Sequence, residues 1–152
     1  MEHIILWLSF VIGMVLLWFS LRKLSFNEWI LVYLVSSYFS IFLGTIVVEE
    51  NMLHYPEKLL GIHFESSILF EYVILPVINL YFYQTTYRSR YSGILIQGVL
   101  YASVLTTMEV LLEKYTDVIE YHTWTWMHTF ASVLLFMMVI RIAMRLYWRW
   151  NA

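Results

Sequence analysis

Apolar residues in this chain run in five long blocks separated by short polar breaks, with little of the apolar–polar alternation of a half-buried strand. A helix that crosses a hydrocarbon core of about 30 Å needs about 20 such residues. The blocks at about 4–21, 29–48, 67–84, 93–112 and 126–146 meet that length. They predict an all-α polytopic membrane protein: a five-transmembrane-helix bundle, with residues 1–152 forming a single integral membrane domain. Pro76 falls inside the third block, where it predicts a kink whose freed carbonyl finds a donor on a neighbouring helix.

The first block is not expected to be a cleaved signal. Met1-Glu2-His3 carries no Lys or Arg, the apolar run is long, and no Ala-x-Ala-like site follows. Basic residues then set the orientation. Arg22, Lys23, Arg88, Arg90, Arg141, Arg145 and Arg149 gather on one side, while only Lys58 and Lys114 lie on the other. Basic loops stay in the cytoplasm, which predicts the N-terminus outside, the C-terminus cytoplasmic and a multi-pass location in the cytoplasmic membrane. Tryptophans agree: Trp18, Trp29, Trp148 and Trp150 fall near the inner boundary, and Trp7, Trp124 and Trp126 near the outer one. Arg141, Arg145 and Arg149 recur every four residues and share a helix face, either as a snorkelling inner anchor or as a headgroup or partner contact.

Composition narrows the chemistry. The hydrophobic share is 61% and the charged share 13%, far from a soluble domain, and a net charge of −2 offers nothing to nucleic acid. Cysteine is absent, which removes disulfides, thiolate metal sites and a cysteine nucleophile. No nucleophile elbow, phosphate-cradling glycine loop or internal repeat is present, and no cofactor is specified.

Acidic and histidine residues segregate to the outer side. Glu2, Glu49, Glu50, Glu57, Glu65, Glu113, Asp117 and Glu120 lie there with all five histidines, whereas Glu28 is inside. Glu71 and Glu109 fall within the third and fourth blocks, each about one turn from the outer boundary, at a depth of about 6–8 Å. No Lys or Arg occupies the outer half of any block to neutralise them. Gly98, Ala102 and Thr106 form a small-residue stripe that Glu109 and Glu113 continue, and Ser36, Ser40 and Gly44 form another. Both predict close helix packing, with Asn79 and Gln97 adding interhelical hydrogen bonds deeper in the bundle.

The candidate site is therefore Glu71, Glu109 and Glu113 with His128, and His63, Glu65, His122, Glu49 and Glu50 drawn from the loops. Three uses stand open. The carboxylates share a proton, hold a divalent cation through Glu71, Glu109 and His128, or form a static polar lock. Thr123-Trp124-Thr125-Trp126 reads as an interfacial anchor in preference to a sugar or cation platform, and 54–61 as a turn into a short interfacial helix.

Val47-Val48-Glu49-Glu50 with Tyr55-Pro56 resembles a stretch in a family of small multispan membrane proteins from spore-forming Gram-positive bacteria. So do Phe70-Glu71-Tyr72 with Pro76, Asn79-Leu80-Tyr81-Phe82, Glu109-Val110, Glu113-Lys114-Tyr115-Thr116 and Trp124-Thr125-Trp126. The likeness covers roughly residues 47–130 and departs at His54 and His122. It implies a similar span pattern and membrane location, and no assigned activity. The leading expectation is a non-enzymatic membrane protein with an outward-facing acidic pocket for a small ligand, cation or proton, or a component of an envelope or sporulation-linked complex. The alternatives are an intramembrane metal-dependent enzyme acting on lipid at the outer leaflet, and a small proton- or cation-coupled transporter. Expected partners are the lipid bilayer and either another membrane protein or a second copy.

Overall fold

A computed structural model describes residues 1–22, 25–57 and 67–151. All five apolar blocks are helical. Helices α1 (Glu2–Leu21), α2 (Phe26–Glu49), α4 (Tyr91–Tyr115) and α5 (Trp126–Trp150) are long and apolar enough to cross a membrane. Only 22% to 33% of their most apolar windows is buried within the chain, so most of that apolar surface faces outward. A surface of this kind needs lipid as its solvent, and the chain is a membrane protein.

The third block departs from a simple kinked helix. Its first part, Leu69–Ile74, is a π-helix, and α3 (Leu75–Thr85) continues it. Pro76 supplies the cause, because it has no N–H for the carbonyl of Tyr72 and its ring crowds that oxygen. The tyrosine hydroxyl of Tyr33, on α2, donates to the Tyr72 carbonyl at 2.6 Å and satisfies it from outside. Ser67 begins the segment by accepting the Phe70 amide on its hydroxyl at 3.3 Å, in the manner of an N-cap. The wider π turn sets the phase of Glu71, which is buried.

The segments pack chiefly as two pairs, α2 with α3 and α4 with α5, and α1 lies against the π-helix. Both small-residue stripes face inward: Ser36, Ser40, Gly98, Ala102 and Thr106 are buried, and Gly44 lies against the Glu71 carboxyl group. Asn79 makes the expected interhelical bond, its amide donating to Ser36 Oγ at 2.7 Å. Gln97 does not. Its amide donates to Ser89 Oγ at 3.2 Å, in the turn just before its own helix, because α4 starts close enough for that local partner to win.

One end of the bundle gathers the arginines. Arg141 donates to the carbonyls of Thr86 at 2.7 Å and Tyr87 at 3.3 Å, and stacks 5.0 Å over the Tyr83 ring. A cation is favourable there, since these carbonyls close the C-terminus of α3. Arg145 reaches the Tyr91 hydroxyl at 3.2 Å, while Arg149 is exposed. Arg141 and Arg145 are thus tied within the chain.

The other end holds the histidines. Helix α2 stops in a Schellman arrangement, with Met52 N–H donating to Val47 O and Asn51 N–H to Val48 O. Asn51 takes the left-handed conformation this requires, at φ 54°. Strand β1 (Leu53–His54) then pairs antiparallel with β2 (Glu120–Tyr121), matching Leu53 with Tyr121 and His54 with Glu120. The expected turn into a short interfacial helix over 54–61 is thereby corrected at its start: His54 is in a strand, Pro56 and Glu57 form a bend where the first helical position was expected, and the rest lies outside the described residues. The Met52 carbonyl accepts the amides of His122, Thr123 and Trp124 at 3.0–3.2 Å, which fastens the two loops together.

Packing in α1 yields a direct test. A Cβ added to Gly13 would collide with Cγ1 of Val73, a stiff β-branched side chain on the π-helix, whereas Gly93 has only Ser89 Cβ nearby at 3.4 Å. Thermal unfolding in detergent should show Gly13→Ala destabilised by about 1–3 kcal/mol. Gly93→Ala should be neutral or more stable, by up to about 1 kcal/mol.

Candidate functional site

Two apolar clusters form the interior. The larger runs through the bundle around Leu80, Phe82 and Met137, and the smaller lies at the histidine end around Leu53, Tyr55, Leu69 and Val118. A cavity of about 110 Å³ sits where they meet, walled by α2, the π-helix, α4 and α5. Glu71 and Glu109 both line it. Each is buried, Glu71 at 3% and Glu109 at 4% exposure, so the expectation that they share a layer and face inward matches the geometry.

Glu109 is held by hydroxyls. Thr129 Oγ1 donates to its Oε1 at 2.6 Å and the Tyr121 hydroxyl donates to the same oxygen at 2.7 Å. Behind them, Trp124 Nε1 donates to Thr129 Oγ1 at 2.7 Å, giving a chain from indole to hydroxyl to carboxylate. Among the described residues no Lys, Arg or His forms an ion pair with Glu109. Glu71 packs across the cavity wall against Gly44, where a Cβ would strike its carboxyl group. Glycine is needed at that point for the close approach.

The remaining walls are apolar and aromatic. Phe70, Leu75, Val133 and Phe136 contribute from the helices, and Leu53 and Tyr55 close the histidine end. Ser40 also lines the cavity; its hydroxyl is buried and has no hydrogen-bond partner. The Tyr55 phenol is held well above its ordinary range, first by burial and then by the two carboxylates. Burial likewise pushes the Tyr121 phenol up, with Glu109 adding to it.

Other expected site residues fall elsewhere. His128 does not line the cavity. It is exposed at the start of α5, where its Nδ1 accepts the Thr125 amide at 3.2 Å and bonds the Thr125 hydroxyl at 2.8 Å, completing a capping box. Helix capping draws the ring back along the backbone and away from Glu109. Glu113 is half-buried, outside the cavity wall, on the Tyr121 side. His63 and Glu65 lie outside the described residues, and Glu49, Glu50 and His122 are exposed and do not line the cavity. Among the described residues, no three His, Asp or Glu side chains come together as a metal-ligand group.

Ser40, Tyr55, Tyr121, Trp124 and Thr129 were not marked as site residues by the sequence. Ser40 had been visible only as part of a packing stripe, and Trp124 only as an interfacial anchor. No protein-family model, curated protein or solved structure matches this chain.

Replacing Thr129 with Val should cost about 1–3 kcal/mol, because Glu109 loses a donor while Trp124 loses its acceptor. Denaturation of detergent-purified protein measures it. The phenols set the alkaline limit. Unfolded tyrosine ionises near pH 10, whereas Tyr55 and Tyr121 keep their protons to higher pH in the folded chain. Above about pH 10 the unfolded state therefore binds fewer protons, and stability falls as pH rises. Below that pH their contribution is fully present. Tyr121→Phe should flatten part of this slope above about pH 10.

Proposed function

We propose that this chain is a non-enzymatic, five-span protein of the cytoplasmic membrane whose acidic pocket, at the outer end, binds a small positively charged ligand. The carrying observation is Glu109: a buried carboxylate on the wall of an apolar cavity, met by two hydroxyls and no basic side chain among the described residues. Seating an acid within the membrane costs about 3 kcal/mol on insertion scales. Hydrogen bonds to a carboxylate contribute about 1.5–3 kcal/mol each, so the two hydroxyls hold Glu109 in place. A cation in the cavity would add an ionic partner that hydroxyls do not supply.

The fifth crossing is the third segment. Leu69–Thr85 extends for about 25 Å at helical rise, close to the hydrocarbon thickness. The bias of Lys and Arg supports the N-terminus outside and the C-terminus in the cytoplasm. A role in an envelope or sporulation-linked complex rests on the resemblance alone, and burial of both small-residue stripes removes one surface for a partner. The transporter reading gains the Asn79–Ser36 layer. Beyond it, however, Val32, Leu80 and Phe82 are fully buried and apolar. The metal-dependent enzyme lacks a convergent ligand set among the described residues.

Two experiments test the proposal. The chain has no cysteine, so single cysteines report topology cleanly. On intact cells a membrane-impermeant maleimide should label Glu57→Cys and Glu120→Cys. Ser89→Cys and Asn151→Cys should react only after permeabilisation. Labelling of Glu57→Cys and Ser89→Cys from the same side would remove the third crossing.

For the pocket, thermal unfolding of purified protein is titrated with n-butylammonium chloride against sodium chloride at equal ionic strength. At ten times Kd the wild type should gain about 1.4 kcal/mol, or roughly 3–5 °C, and Glu109→Gln should lose the response. Divalent cations with and without chelator form the parallel titration. A Glu109-dependent response to divalent cations alone would reassign the pocket to metal.

A further inference from the structure

The walls of the cavity are unequal in exposure. Leu53 and Tyr55, which close the histidine end, are buried at 6% and 4% exposure. Fastening through Met52 O to three amides of the opposite loop keeps that roof in place. Among the described lining residues, those that are open are Leu43 on α2 and Ser132 on α5. Helices α2 and α5 touch little, and their outward faces there carry Phe39, Phe42, Leu135 and Val139, all exposed and apolar. The mouth therefore lies in the side of the bundle, on the surface that lipid covers, and the end facing water is closed.

Inside, the indole of Trp124 and the hydroxyls of Thr129 and Ser132 are already committed as donors, which leaves the Glu109 carboxylate and the Ser40 hydroxyl to meet a donor-rich head. Ser40 Oγ is the second, independent sign of a missing ligand: its residue is 3% exposed, it lines the cavity and it has no hydrogen-bond partner. With the two carboxylate oxygens of Glu109 it offers acceptors for the N–H donors of a primary ammonium. Aromatic rings of Phe70, Tyr55, Trp124 and Phe136 line the rest, and they suit a cation and its first methylenes.

We propose that the pocket takes its ligand sideways from the outer leaflet, and that the ligand is a single-chain amphiphile with a primary ammonium head. This rests on the reading of the pocket as a cation site. Size sets the division of the ligand. A cavity of 150 Å³ admits benzene, so about 110 Å³ holds the ammonium with roughly three or four carbons. The remaining chain lies between α2 and α5 against lipid. An aminophospholipid fits less well, because its phosphate would sit beside the Glu109 carboxylate in a cavity that no Lys or Arg lines among the described residues.

The test compares n-decylammonium with n-butylammonium, decanol, decanoate and decyltrimethylammonium by thermal unfolding in a non-ionic detergent. Decylammonium should stabilise the wild type at a concentration at least tenfold below butylammonium. Decanol, decanoate and the trimethylated amine should not reproduce the effect. Glu109→Gln and Ser40→Ala should each weaken the response at least several-fold, and Ser132→Trp, which plugs the mouth, should abolish it.

Equal potency of butylammonium and decylammonium, or a full response in Ser132→Trp, would overturn the lateral route while leaving the cation pocket standing. Equal stabilisation by decanol would overturn the ammonium head. Absence of any Glu109-dependent response to either amine would overturn the cation pocket itself. A destabilised Glu109→Gln does not confuse these outcomes, because Ser40→Ala and the ligand series read the same site in other ways.

Discussion

A carboxylate buried in apolar surroundings must find donors, and much of the histidine end is arranged around that demand at Glu109. Two hydroxyls reach one of its oxygens, Thr129 from the first turns of α5 and Tyr121 from strand β2. Tyr121 is positioned because β2 pairs with β1, and β1 follows directly from the Schellman stop of α2. Thr129 is steadied by the indole of Trp124, whose own amide is fixed on Met52 O. Four elements thus meet through one acidic side chain. Loss of any link leaves a polar group stranded in a region of low dielectric, where an unmade hydrogen bond is most expensive.

A second constraint comes from Pro76. It removes an amide from the third segment, and the backbone responds with a π turn and a borrowed donor from Tyr33. This places an irregular stretch of helix beside the cavity, and Glu71 is on it. Gly44 of α2 accommodates the carboxyl group by having no side chain. Backbone irregularity, close helix approach and a buried acid are one feature here. Such turns are over-represented at functional sites, which agrees with the pocket reading but does not carry it.

The two ends of the bundle solve different problems. At the arginine end the cations are consumed locally, closing the carbonyls after α3 and stacking on Tyr83 and Tyr91. Tyr83 also donates to Glu28 at 3.0 Å, so a polar network ties that end together. At the histidine end Glu109 has only hydroxyl donors among the described residues, and it lines the cavity. His3 approaches Glu57 at 3.3 Å, but both are exposed, and such a contact contributes little to stability. A buried carboxylate held by hydroxyls alone among the described residues directs attention to the pocket.

Hydropathy alone located the five helical segments, because apolar runs of that length have few other stable fates and periodicity survives without knowledge of the neighbours. The inward burial of Glu109, the inward stripes and the Asn79 bond were legible for the same reason: each follows from helix phase along one element. Other features required the assembled chain. His128 looked like a ligand by position, yet a capping geometry three residues long claimed its ring. Tyr121, Trp124 and Thr129 carry no signature as single residues; they became a site when the β1–β2 pairing and the start of α5 brought them to Glu109. The roofed end and the open side of the cavity depend on which residues of separate helices touch. Local pattern fixes what a segment becomes, whereas the contacts between segments, summed over the whole chain, decide where a cavity is left and which way it opens.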